Sequence, residues 1–325
     1  MKKTQLFMLI ALLFTAMLLL ASCGKEKEAA ETQRPSNIRS ELLAHSQMKY
    51  IVAFFPDESG KHLVPLSFRI NETRDVVWVA LEKLLSGTPN DFVQDALPEG
   101  FKLEDLYLQN SIVHIKLIGE KAEAAQINPA AFSATVNFAL NDYSFDFRHL
   151  YPISILVNNE PITEAAYTLS EDQNFTIDDV NNMTRIFYSD KQAMYLIPVT
   201  VKLKNAPESD ALYLAVLEKW IATPSVEHVT STVPKGAKVL SASFKNGNLL
   251  VDLNKTAISY GGGHAQEYLF IESLLWTLSA YPEVISVQLT VEGETVPALP
   301  EGTSIKNPLP VPHQCQNLNV VEALH

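Results

Sequence analysis

A few short stretches of this chain carry residue types that could do chemistry. Cys23 stands behind Leu20-Ala21-Ser22, a thiol at a position where a cleaved chain can be lipidated. Gly261-Gly262-Gly263-His264 precedes a helical pattern, and free amides at such a start can cradle an anion. Asp172-x-Asn174 with Asp178-Asp179 offers oxygen ligands of the kind calcium takes. Asp252 closes an apolar strand pattern, where it could act as an acid or cap a turn. Most of these fall short on their own terms. The aspartate group lacks the glycine and terminal glutamate of an EF-hand loop, so no metal site is expected. A lone His264 is not a catalytic base without a nucleophile or an orienting carboxylate. The eight histidines are scattered, with no two within four residues. Gly-x-Ser-x-Gly, the phosphate-binding Gly-x-x-x-x-Gly-Lys-Ser/Thr, His-Glu-x-x-His and Cys-x-x-Cys are all missing. No catalytic residue, metal or cofactor is expected.

Cys23 is the exception. Lys2 and Lys3 precede an apolar run from Leu6 to Leu20, which is the layout of a secretory leader and short for a bilayer span. Leu20-Ala21-Ser22-Cys23 resembles the bacterial lipobox, which implies residues 1–22 as signal peptide and Cys23 as the lipidated first residue of the mature chain. Two acyl chains on one residue anchor stably, whereas one does so only marginally. With Cys23 lipidated, Cys315 remains as an unpaired thiol in a proline-rich tail, and no internal disulfide is available. The formal charge is -12, and removal of Lys2 and Lys3 takes it to -14. Nucleic acid and anionic lipid both call for basic patches, so neither is an expected partner.

The elements that would position any site come in two copies. Phe55-Pro56-Asp57 and Leu63-Val64-Pro65 recur as Tyr188-Ser189-Asp190 and Leu196-Ile197-Pro198, 133 positions on. Ala80-Leu81-Glu82-Lys83 recurs as Val216-Leu217-Glu218-Lys219, and Pro98-Glu99-Gly100 as Pro234-Lys235-Gly236. Ile115-Lys116-Leu117 recurs as Val251-Asp252-Leu253, and Val157-Asn158-Asn159-Glu160 as Val291-Glu292-Gly293-Glu294. The pattern sets a spacer at 23–47, a first domain at 48–163, a linker at 164–183, a second domain at 184–297 and a tail at 298–325. Pro300, Pro308, Pro310 and Pro312 argue that the tail is extended, mobile chain with no packed element. The landmark pairs all fall inside one copy or the other, so the copies are expected to be separate folding units.

Each copy reads as strand, strand, helix, strand, strand, helix, strand. Val77, Leu81 and Leu84 take helical spacing after Thr73 and Asp75, as do Tyr213, Leu217 and Trp220 after Ser209-Asp210. Asn246-Gly247 between two β-rich runs predicts a tight type I′ turn, and Asn110-Ser111 holds that place less ideally in the first copy. Phe132, Val136, Leu140 and Tyr143 mark the second helix, echoed by Phe270, Leu274, Leu278 and Tyr281. Val287, Leu289 and Val291 alternate with polar residues, so one sheet face is covered and the other half solvated. A helix between the last two main strands allows those strands to be parallel. The expected class is α/β (α+β): two tandem small sandwiches, each a mixed β-sheet with two helices on one face. Glu82-Lys83 and Glu218-Lys219 are expected on solvated helix faces.

In order and spacing these landmarks resemble the GerMN domain family. The correspondence runs through the early Asp57 and Asp190, the prolines Pro65 and Pro198, Glu82-Lys83 and Glu218-Lys219, Pro234-Lys235-Gly236, Val251-Asp252-Leu253 and Gly261-Gly262-Gly263. The first copy departs at Lys116 and lacks the glycine run. The resemblance implies a fold akin to the ring-building motif of secretion-type rings. It implies a spore-forming Gram-positive source, the outer face of the cytoplasmic membrane, and a role in sporulation or spore germination. Two readings follow: a non-enzymatic assembly or scaffold lipoprotein with protein partners or self-association at the sporulation envelope, or a ligand-binding lipoprotein that recognises a cell-wall fragment or germinant.

Overall fold

The structure is a computed structural model that describes residues 49–70, 75–140, 150–162, 182–203 and 210–312. The leader, Cys23, the spacer, Asp172 to Asp179 and Cys315 lie outside the described residues.

In the first repeat, β1 (Lys49–Pro56) and β2 (Leu63–Ile70) form an antiparallel hairpin. The run Ile51-Val52-Ala53-Phe54-Phe55 is buried on both faces of β1, so this strand must be covered from two sides. Helix α1 (Val76–Leu85) starts where the Asp75 carboxylate accepts from the amides of Val77 (2.8 Å) and Trp78 (3.3 Å). Strands β3 (Lys102–Gln109) and β4 (Ile112–Ile118) turn through Asn110-Ser111, both at positive φ, the backbone that a type I′ turn requires. Helix α2 (Pro129–Leu140) follows Asn128, whose side-chain oxygen accepts from the amides of Ala130 and Ala131. Strand β5 (Ile153–Val157) then runs parallel to β4, and the short β6 (Glu160–Pro161) closes its edge.

The second repeat follows the same order. Strands β7 (Met183–Asp190) and β8 (Leu196–Lys202) form its first hairpin, α3 (Asp210–Ile221) follows, and β9 (Val229–Thr230) adds to β7. Strands β10 (Val239–Lys245) and β11 (Asn248–Leu253) turn through Asn246-Gly247 at φ +50° and +81°. Helix α4 (Gly263–Leu278) leads to β12 (Ser286–Val291), parallel to β11.

The expected mixed sheets with parallel central pairs are present: β3-β4-β5-β6 and β10-β11-β12-β13, where β13 is Leu309–Pro310. The first hairpins do not join them. β1 and β2 form a two-stranded sheet and β8-β7-β9 a three-stranded one, with β2 beside β8, and α1 touches both β1 and β3 while α3 touches both β7 and β10. The helices thus lie between a hairpin and a sheet. The apolar sides of β1 and β7 demand this second cover.

The tail departs from its reading as loose chain. Leu299, Ile305 and Val311 are buried, and β13 (Leu309–Pro310) pairs antiparallel with β12. Proline is tolerated there because β13 is an edge strand. Proline content does not exclude packing over 298–312, since anchors between prolines can still be buried.

The described residues of the two repeats belong to one compact unit. Val52, Phe54 and Phe138 of the first repeat share an apolar cluster with Phe187, Leu196, Leu269 and Trp276 of the second. The rings of Phe54 and Phe138 meet edge-on at 5.5 Å, and those of Phe187 and Trp276 lie 6.2 Å apart. Matching bonds place the two halves. The Phe54 amide donates to Thr135 Oγ1 (3.0 Å) and the Phe187 amide to Thr277 Oγ1 (3.1 Å). These threonines stand 142 positions apart although the flanking helical landmarks stand 138 apart, a shift of one turn. On this frame Ala134 corresponds to Trp276 and Phe138 to Ala280, and all of these line or adjoin the shared cluster. Large and small have traded places between the copies, which lets two related surfaces fill one another.

Candidate functional site

The early aspartate of each copy has a structural task. Asp57 Oδ1 accepts from the amides of Lys61 and His62, both at 3.0 Å, and Ser59 donates its hydroxyl to the same carboxylate. Asp190 Oδ1 accepts from the amides of Met194 (2.7 Å) and Tyr195 (2.8 Å). Each carboxylate closes the loop between the two strands of its hairpin. Asp190→Ala should cost about 1–3 kcal/mol, because two amides lose a charged acceptor. Thermal denaturation checks it, and an unchanged midpoint would contradict the assignment.

These two loops meet at the rim of the contact between repeats. Asn90 donates to the Tyr195 hydroxyl (2.6 Å), Gln192 to Glu58 Oε2 (2.5 Å), and the His62 ring lies 2.7 Å from the Glu227 carbonyl oxygen. Lys61 reaches Glu227 at 3.4 Å, an exposed pair worth little by itself. The rim therefore reads as a polar border around an apolar contact.

The other singled-out residues separate. In the first repeat Glu82 accepts from the Trp78 indole (2.9 Å) and Lys83 sits over the Phe68 ring, so both are used locally, whereas Glu218 is exposed. Asp252 does not cap the turn at Asn254. Its Oδ1 accepts from Thr290 Oγ1 and the Gly293 amide, both at 2.8 Å, which ties β11 to the end of β12. Lys116, in its place in the first repeat, lies over the Tyr107 ring instead. His264 is exposed on the glycine loop, and the Gly263 amide already has a carboxylate, Glu301 Oε1, at 3.2 Å. The anion cradle is filled from within. Asp210 does not serve a helix cap of its own but accepts from the Phe244 amide (2.8 Å), fastening α3 to β10. Among the described residues no three His, Cys, Asp or Glu side chains converge as a metal site would need.

Sequence reading missed Glu267. Its side chain is fully buried on α4 and accepts from the Tyr260 hydroxyl (3.0 Å) and from the amides of Glu301 (2.8 Å) and Thr303 (2.7 Å). The signal was present, because Glu267 sits on the same helical stripe as Phe270, Leu274 and Leu278. Burial alone would push this carboxyl up. Hydrogen bonds from Thr303, the Glu301 amide and Tyr260 outweigh burial and hold it below the usual carboxylate range. Its contribution to stability is thus fully present at neutral pH and is lost as pH falls through that lowered value. The amide NMR shifts of Glu301 and Thr303 should move together in that acid window. Shifts that stay flat into strong acid would contradict the linkage. Tyr260, half-buried beside this carboxylate, is pushed well above its ordinary value by partial burial and the neighbouring charge and stays a proton donor. Burial does the same for Tyr188, which is raised to about 12. Neither phenol is poised as a base or nucleophile at neutral pH.

This geometry describes a duplicated α+β scaffold whose carboxylates are spent on holding backbone in place. Residues 185–297 match the family model described as Germane, sporulation and spore germination. The fold is similar to the tandem GerMN domains of the sporulation protein GerM from Bacillus subtilis, with a TM-score of 0.56 and 16% identity over 83% of this chain and 99% of that one. It is also similar to the first GerMN domain of that protein alone, with a TM-score of 0.32 and 19% identity over 41% of this chain and 96% of that one. No curated protein matches the chain in sequence. The class is thus a tandem GerMN fold. Over residues 185–297 the second repeat is similar to the sporulation and germination family, and over most of the chain the fold is similar to the tandem arrangement in GerM.

Proposed function

We propose that this protein is a lipoprotein of sporulation or spore germination, held on the outer face of the cytoplasmic membrane through Cys23, that acts by association and not by catalysis. The observation that carries this reading is the tandem architecture itself, similar over most of its length to that of a sporulation protein. The local chemistry supports it. Asp57, Asp190, Asp252 and Glu267 each accept from backbone amides, so these carboxylates are engaged in holding loops and strands in place. The shared apolar cluster makes the two copies one body, so a partner would meet both repeats in fixed relation. No helix among the described residues is long and apolar enough to cross a membrane.

The test has two arms. A clean deletion should leave vegetative growth normal and either reduce spore yield or give spores that germinate poorly. Replacing Cys23→Ala should abolish palmitate labelling and release the chain from the membrane fraction or leave its leader uncleaved. Normal spores in the deletion strain would overturn the sporulation role. Unchanged labelling in the variant would overturn the anchor, and cleavage of wall polymers at enzymatic rates by the purified chain would overturn action by association.

A further inference from the structure

Each repeat closes the edge of its last main strand with a short return of the chain. In the first, the chain closes the edge of β5 with Glu160–Pro161. The second has the equivalent bridge between Val291 and Glu294 and then continues through residues 295–312, which return to β12. We infer that residues 297–311 are a detachable strap, and that the groove they fill, between the edge of β12 and the start of α4, is a peptide-binding site that the same segment of a second copy can occupy.

The strap folds back on itself over 297–305, and its last residues dock on β12 as an added strand does. Ser286 and Val287 pair with Pro310 and Leu309, the Val311 amide donates to the Ile285 carbonyl (2.9 Å), and Gln288 Nε2 donates to the Ile305 carbonyl (3.0 Å). In this mode main-chain bonds supply affinity and side-chain pockets supply selectivity. The pockets here take Leu299, Ile305 and Val311, at 4%, 1% and 6% exposure. The polar lock is Glu267, whose oxygens hold the amides of Glu301 and Thr303, while Glu301 in turn meets the Gly263 amide at the start of α4. These bonds come from a helix residue to the strap, so the lock belongs to the groove and not to the strap's own fold. Pro297, Pro300, Pro308 and Pro310 restrict the segment before it binds, which lowers the entropy lost on docking.

The strap is joined to β12 through Thr295, which is exposed, and Val296. A second copy's segment presents identical groups, so exchange needs no new complementarity. The tethered strap wins in dilute solution, and confinement of copies at a membrane raises the local concentration that exchange requires. The inference rests on the association reading for this setting alone. Exchange is measured in vitro, so its failure is distinct from a failure of the spore phenotype.

The experiment uses the full mature chain with a protease site inserted between Glu294 and Thr295, cut after folding. A fluorescent peptide of residues 295–312 should replace the cut strap in a saturable way, read by anisotropy. Glu267→Gln in the same background should weaken binding by about tenfold or more, the effect of losing a charged acceptor. A peptide carrying Leu299→Asp and Ile305→Asp should not bind. Chain stripped of its strap, mixed with intact chain, should yield a heterodimer by native mass spectrometry. A cut strap that never exchanges, or a cut chain that unfolds when the strap leaves, would overturn the detachable strap. Unaltered affinity in the Glu267→Gln chain would overturn the lock. Peptide binding without heterodimer would overturn the second copy as occupant.

Discussion

Trp220→Ala is expected to lower the stability of this protein by about 3–5 kcal/mol, the usual cost of deleting a buried indole. Trp220 is fully buried on α3 and lies 5.4 Å from the Phe270 ring, so the substitution opens a void between α3 and α4. Its indole N–H donates to Ser273 Oγ at 2.9 Å, and that hydroxyl lies 2.6 Å from Thr232 Oγ1. The loss is therefore both packing and a buried polar link. Trp220→Phe should recover much of the packing and none of the hydrogen bond, falling between the two. Denaturant titration decides it. A midpoint for Trp220→Ala within experimental error of the parent chain would mean that α3 turns a different face to the core.

The second large effect is expected at Trp276. This side chain belongs to the cluster shared between repeats, at 5% exposure, facing Phe187. The parent chain should unfold in one transition, because apolar contact continues from one repeat into the other. Trp276→Ala should cost about 3–5 kcal/mol by cavity formation and should also uncouple the repeats, so that two transitions replace one. A Phe54→Ala change attacks the same cluster from the first repeat and should give the same splitting. If calorimetry of the parent chain already shows two independent transitions, the shared cluster contributes no coupling. In that case the expectation of separate folding units, drawn from the repeat pattern, stands unmodified.

Much of the architecture was legible along the chain because the signals were local. Asn246-Gly247 specifies a tight turn wherever it falls, since both positions tolerate positive φ. Val77, Leu81 and Leu84 describe one helical stripe without reference to any partner. Duplication added a check that single motifs lack, because an element read weakly in one copy could be read in the other. The sequence likewise carried the absence of nucleophile and base motifs, and the resemblance to GerMN domains.

Other features depended on residues far apart. Lys49 to Phe55 is a short β-rich run, but nothing local said that one of its faces would meet the other repeat through Phe54. Separate copies and packed copies need the same internal landmarks, so the repeat pattern was silent on their contact. The Thr135 and Thr277 bonds moved the correspondence of the second helices by a turn, which apolar periodicity cannot detect because it repeats every turn. The tail and Glu267 were each misread or overlooked alone. A carboxylate on an apolar stripe is costly until amides satisfy it, and a proline-rich segment stays loose until a groove receives its anchors. Each accounts for the other, and only the tertiary structure brings Glu267 to the amides of Glu301 and Thr303.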